Sequence, residues 1–169
     1  MRRSIATLLL LLSGAPAVAG EAALPREVQR GEVLPGAPMS GLNGPARQLS
    51  DYRGKPLIIN VWASWCGPCR AEMASLERLA WTDTAVDLNV IGVSIDDYPE
   101  RALAFLASSN ATIDHFIDYR LQLETLLGAS RVPLTVLVDA DGRVVRKVTG
   151  ARSWDSPDAL LLVERAFAR

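Results

Sequence analysis

The chain has 169 residues, 49% of them hydrophobic, which is enough to build one domain with a buried core and too short for two ordinary ones. Its 18 basic and 19 acidic residues give a formal net charge of −1, a balance that argues against a nucleic-acid partner, because phosphate binding needs a clustered positive surface. The ten prolines and twelve glycines are scattered and no segment repeats at a fixed period, which excludes low-complexity and solenoid architectures.

Residues 1–19 read as a signal peptide. Arg2 and Arg3 precede an apolar run from Ile5 to Leu12, Ser13, Gly14 and Pro16 interrupt it, and Ala17-Val18-Ala19 supplies a small-x-small site, so cleavage is expected after Ala19. The rival reading is an uncleaved anchor, but this run is far shorter than the roughly 20 residues needed to cross a bilayer. Loss of the two leader arginines leaves 16 basic and 19 acidic residues, a net charge of −3. Arg101, Arg120, Arg131 and Arg143 are far apart in sequence and read as solvated surface charge.

Residues 20–31 form a polar, proline-bearing linker, and the domain is expected over 32–169. Val33 to Met39 reads as an extended arm. Asn43-Gly44 is a tight-turn signal between the strands of a small hairpin ending near Leu49, followed by a turn from Ser50 to Gly54. Pro56 to Ala63 is apolar on both faces, as in a central strand covered by helices on both sides. From Gly67 to Trp81, Met73, Leu76, Leu79 and Ala80 recur at helical spacing among Arg70, Glu72, Glu77 and Arg78, which predicts an amphipathic helix.

The alternation continues with a strand over Leu88–Ile95, a helix over Pro99–Ser108, a short strand at His115–Ile117 and a helix at Leu121–Leu127. A β-branched strand over Val132–Val138 turns at Asp141-Gly142 into Val144–Val148, and Ser156-Pro157 caps a closing helix to Ala168. The fold class is therefore α/β: a mixed sheet with parallel central strands and an antiparallel edge, flanked by helices.

The only two cysteines, Cys66 and Cys69, lie in Trp65-Cys66-Gly67-Pro68-Cys69 at the strand-to-helix junction. A disulfide closing so small a loop constrains the unfolded chain very little, so reactivity explains the pair better than stability does. A thiol reacts as thiolate, and a helix N-terminus beside a second cysteine favours that form. Cys66 is read as the nucleophile, with Trp65 beside it and Pro68 in the first helical turn, where its missing N–H costs nothing. Cys69, one turn further in, is read as the resolving thiol.

Other chemistries remain open on these residues. A zinc site would have only His115 and carboxylates to complete it, transient Cu(I) binding suits two soft thiolates, and a Cys-His nucleophile pair would have to use His115, which reads as structural. No metal site and no cofactor are expected.

The block from Trp62 to Glu72, preceded by Gly54-Lys55-Pro56 and Asn60, resembles the active site of the TlpA/ResA/DsbE branch of periplasmic thioredoxin-like proteins. Leu42-Asn43-Gly44, Leu49 to Gly54, Arg131-Val132-Pro133 and Asp139 to Gly142 extend the resemblance over roughly Leu34 to Gly150. It implies a thioredoxin fold with an N-terminal β-hairpin, a central insertion at Asp96–Asp118, and a cis peptide before Pro133 that presents Val132 to a substrate backbone. Trp65, Gly67, Pro68, Val132 and Pro133 are the expected substrate-binding residues.

Thioredoxin carries a buried aspartate six residues before its first cysteine, where this chain has Asn60. The resemblance points instead to Glu72 as the acidic group that raises the Cys69 pKa and relays its proton; an ordinary exposed helix glutamate is the competing reading. Ala74 and Leu134 depart from the branch, which commonly has proline and a hydroxyl residue there. The implied activity is periplasmic thiol-disulfide exchange by a dedicated reductant in cytochrome c maturation or copper-oxidase assembly. Its implied partners are apocytochrome c or copper-site proteins with cysteine pairs, and a membrane electron donor of the DsbD/CcdA kind. A disulfide-forming oxidase and a Cu(I)-binding metallochaperone-like module are the alternatives.

Overall fold

The computed structural model describes residues 26–83 and 86–168; the leader, its cleavage site and residues 20–25 of the linker lie outside the described residues. Within them the chain runs β1 (Pro38–Gly41), β2 (Arg47–Gln48), a 3-10 turn (Leu49–Tyr52), β3 (Leu57–Trp62), α1 (Gly67–Trp81) and β4 (Asn89–Ser94). It continues through α2 (Pro99–Ser109), β5 (Asp114–Ile117), α3 (Gln122–Leu127), β6 (Leu134–Val138), β7 (Val144–Thr149) and α4 (Pro157–Phe167). The strands make one sheet in the order β2-β1-β5-β4-β3-β6-β7. β5, β4 and β3 are parallel, whereas β6 and β7 on one side and β1 and β2 on the other are antiparallel. Antiparallel pairing, expected at one edge, thus occurs at both, because the N-terminal hairpin adds to β5 through Ser40 and Gly41.

All six residues of β3 are buried, which accounts for the unbroken apolar run in the sequence. Leu57, Ile59 and Val61 enter one core with Phe116, Leu126 and Val136, while Ile58 packs with Leu76, Leu137 and Trp154 on the opposite face. Alternate residues of one strand therefore join cores on both sides of the sheet. Trp62 starts a third cluster with Cys66, Cys69, Met73, Ala102 and Leu106, which joins α2 of the central insertion to the cysteine-bearing start of α1.

Several local rules visible in sequence are realised. The Ser156 hydroxyl accepts from Ala159 N at 3.3 Å to cap α4, with Pro157 in its first turn. The 3-10 turn begins with Asp51 accepting from the Gln48 N–H at 2.9 Å. Asp118, not a residue adjoining α3, caps that helix by accepting from Gln122 N and Glu124 N at 3.0 and 2.7 Å. Gly92 is required by packing: a Cβ there would collide with the His115 ring and with Trp62 Nε1. The packed structure reaches back into the stretch read as linker, since Val28 is buried in the core and its N–H donates to Leu126 O at 2.9 Å.

Candidate active site

Strand β3 delivers the chain to the cysteines. After Trp62 the backbone turns, Cys66 N donates to Ala63 O at 3.1 Å, and α1 starts with Cys66 as its N-cap. Its sulfur accepts from Cys69 N at 3.2 Å, so one of the first-turn N–H groups that the helix leaves unpaired is directed at Cys66 Sγ. Cys66 and Cys69 form a disulfide. Cys66 keeps 6% exposure and Cys69 none, so of the two sulfur-bearing residues only Cys66 reaches the surface. Trp65 beside it is 64% exposed, and Gly67 and Pro68 are exposed as well.

The loop before β6 meets this helix start. The Val132–Pro133 peptide is cis, and β6 begins only at Leu134, two residues later than the sequence pattern suggests. Leu134 pairs with Val61, which brings Pro133 to the cysteine end of β3. Val132 packs against the cluster containing both cysteines. Beside it a groove of about 630 Å³ is lined by Trp65, Ile95, Leu121, Glu124, Arg131 and Val132, among others. Leu121 adopts a left-handed conformation, φ 53°, with 43% of its surface exposed. A bulky non-glycine residue held there is a local strain, of the kind that collects at binding sites.

Glu72 is not an exposed helix glutamate. It is 2% exposed and its carboxylate accepts from three donors: Asn60 Nδ2 at 2.7 Å, Arg152 N at 3.0 Å and Trp154 Nε1 at 3.3 Å. Burial pushes its pKa up, and these hydrogen bonds only partly oppose the rise. Asn60, at the position where thioredoxin has its aspartate, is thus the direct partner of Glu72. Asn60 Nδ2 also donates to Thr135 Oγ1 at 3.1 Å, tying β3, α1 and β6 together one turn of α1 from Cys69.

Asp96 carries no signal of its own in the motif, yet it holds the cysteine loop. Only 1% exposed, it accepts from Ser64 N, Ser64 Oγ and Ser94 Oγ at 2.9, 2.6 and 2.7 Å. The available clue is an acid just past the carboxyl end of a largely apolar parallel strand, the end of the sheet where α/β proteins place their sites. His115 lies elsewhere, buried on β5 in edge contact with Trp62, ring centroids 5.4 Å apart. Its Nε2 is 3.8 Å from Glu77 Oε1, beyond hydrogen-bond reach. Among the described residues no three His, Cys, Asp or Glu side chains cluster as metal ligands.

The Redoxin family model matches residues 19–161. The chain belongs to the Redoxin family. A thiol-disulfide oxidoreductase ResA from Geobacillus thermodenitrificans is 29% identical over 150 residues, spanning 89% of this chain and 86% of that one. A crystal structure from Chlorobium tepidum, described as a thiol:disulfide interchange protein DsbE, superposes with a TM-score of 0.72 at 27% identity, covering 83% of this chain and 96% of that one. A solution structure from Bacteroides thetaiotaomicron, described as a protein disulfide isomerase, gives a TM-score of 0.66 at 30% identity, covering 84% and 90%. This Redoxin member is a thioredoxin-fold thiol-disulfide oxidoreductase of the ResA and DsbE kind, and its disulfide is the Cys66–Cys69 pair.

Proposed function

We propose that the protein is a periplasmic reductant of cysteine pairs in other proteins, serving cytochrome c maturation or copper-oxidase assembly. In the reduced enzyme the Cys66 thiolate attacks one sulfur of a substrate disulfide, forming a mixed disulfide and releasing one substrate thiolate. Cys69 then attacks Cys66 Sγ, which releases the second substrate thiolate and leaves the Cys66–Cys69 disulfide; two electrons have passed to the substrate. A membrane dithiol donor of the DsbD/CcdA kind returns them.

The observation that carries the reading is the unequal exposure of the two cysteines, 6% and zero, beside a cis Val132–Pro133 peptide. It supports Cys66 as the sulfur that meets substrate and Cys69 as the one that resolves it. The helix N-terminus stabilises a Cys66 thiolate. Val132 offers backbone for strand-like pairing with a substrate segment, and the groove between Trp65 and Leu121 suits a side chain flanking the substrate cysteine. Glu72, buried with a raised pKa one turn after Cys69, supplies the proton relay that Asn60 cannot.

The test is the reduction potential of the pair, equilibrated against glutathione and a stronger dithiol. A value of about −270 mV or below agrees with a reductant, and one near about −120 mV would replace this reading with disulfide formation. Cys69→Ser should accumulate mixed disulfides through Cys66 with substrate proteins, identifiable by mass spectrometry, whereas Cys66→Ser should trap none.

A further inference from the structure

The cysteine end of the sheet has a counterpart at the opposite end. β7 is antiparallel to β6, which is antiparallel to β3, so β7 runs parallel to β3. Cys66 follows the carboxyl end of β3, whereas Arg143 precedes the amino end of β7. At that far end a groove of about 620 Å³ lies between the N-terminal segment, β7 and α4.

Four arginines line it: Arg30, Arg143, Arg146 and Arg165, with Asp158 the one acid among the lining residues. All four are exposed. Arg143 donates to Gly31 O at 3.3 Å, and among the described residues none of the four forms an ion pair with a carboxylate. Leu161, 43% exposed, lies among them. Such a concentration of unpaired guanidinium groups stands out on a chain whose formal charge is −1. Guanidinium forks match phosphate oxygens in geometry as well as charge.

We propose that this face docks on the anionic phospholipid headgroups of a membrane. Charge complementarity and the exposed leucine favour a lipid surface. So does the course of the chain. Arg30 is part of the groove, and Arg26, where the described chain begins, follows the apolar run ending at Leu12 by 14 residues, a reach of at most about 50 Å. Until a leader is cleaved, it therefore holds this face within that reach of the bilayer. Docked in this way, the protein turns Trp65 and Cys66 away from the lipid, toward partners that project from the membrane or diffuse beside it.

The test uses the full chain and phosphatidylcholine vesicles with or without phosphatidylglycerol at low salt. The readout is the difference in bound protein between the two, compared between the protein and its variants, so the leader's contribution, apolar insertion and Arg2 and Arg3 alike, is common to every protein compared. Binding should be greater with phosphatidylglycerol, and that excess should be lost when added salt shortens the Debye length from about 10 Å to about 3 Å. Each arginine that reaches the headgroups is expected to contribute roughly fivefold in partitioning, so two of the four already give about 25-fold. Joint replacement Arg30→Gln, Arg143→Gln, Arg146→Gln and Arg165→Gln should then lower the difference at least about 20-fold, with reduction of a soluble disulfide substrate unchanged. If that variant misfolds, the pair Arg146→Gln and Arg165→Gln should still lower it severalfold. Equal binding to both vesicles, or an unchanged difference in the variants, overturns the proposal. So does displacement from vesicles by inorganic phosphate at constant ionic strength, which would assign the groove to a soluble phosphate ligand.

Discussion

Asn60 Nδ2 donates to Glu72 Oε1 at 2.7 Å inside the protein, joining the central strand to the helix that begins at Cys66. The amide that replaces thioredoxin's aspartate and the carboxylate three residues after Cys69 are thus one hydrogen-bonded unit. The rest of the carboxylate holds the 152–154 segment through Arg152 N and Trp154 Nε1.

Glu72→Gln should change how stability depends on pH. Because the Glu72 pKa is raised by burial, its contribution to stability is fully present below about pH 4.3, the ordinary glutamate value, and is lost as pH rises through the higher folded value. A glutamine does not titrate. The variant should lose about 1–3 kcal/mol at low pH, where its amide group meets donors, and recover part of that as pH rises. Urea unfolding of both proteins from pH 4 to 8 measures the slope. The same variant should shift the Cys69 titration, and an unshifted Cys69 would remove Glu72 from the proton relay.

Asn60→Asp should set two buried carboxyl groups against one another. Like charges at this separation cannot both ionise without cost, so one of the pair should hold its proton to neutral pH or above. We expect a loss of roughly 2–4 kcal/mol at neutral pH from the unmade hydrogen bond and the buried charge. Adding Glu72→Gln should restore much of it. A double-mutant cycle by chemical denaturation reads the coupling.

Glu77, on the same helix as Glu72, should respond to acid in the opposite sense. Burial acts to raise its pKa, but the neighbouring His115 imidazole and the donors Thr112 Oγ1, Thr112 N and Ile113 N outweigh burial and hold it below the ordinary glutamate value. Its contribution is therefore present above about pH 4.3 and lost as pH falls through the lower folded value. Glu77→Gln should cost about 1–2 kcal/mol at neutral pH. The difference from the unmodified protein should shrink in acid, as measured by thermal unfolding between pH 3 and 7.

Asp96→Ala should loosen the cysteine loop. It removes the acceptor for Ser64 N, Ser64 Oγ and Ser94 Oγ together, at a cost of about 2–4 kcal/mol. Hydrogen exchange at Ser64, Trp65 and Cys66 should quicken relative to the β3 amides. The rate of thiol exchange should fall by more than the folded fraction does. A proportional fall would confine Asp96 to a stabilising role.

Sequence alone was sufficient where the signal is local. The two-faced apolar run at Leu57–Trp62, the helical spacing of Met73, Leu76 and Leu79, the Ser156-Pro157 cap and the cysteine spacing each reflect rules acting over a few residues. They established a parallel-centred α/β sheet and put a redox pair at a strand-to-helix junction. Chain separation hid the rest. Glu72 and Asn60 are 12 residues apart and Asp96 and Ser64 are 32, and whether a polar side chain is buried and satisfied depends on elements that no local period connects.

The arginines give the same lesson in reverse. Arg143 read as isolated surface charge, but the return of β7 beside the N-terminal segment and α4 sets it with Arg30, Arg146 and Arg165 in one groove. The amino-acid order determined which side chains carry sulfur, charge and apolar bulk, and the local elements that bear them. Only the tertiary structure decided which of them share a dielectric, a hydrogen bond or a surface, because pKa, reactivity and surface potential depend on distances across the fold rather than along the chain.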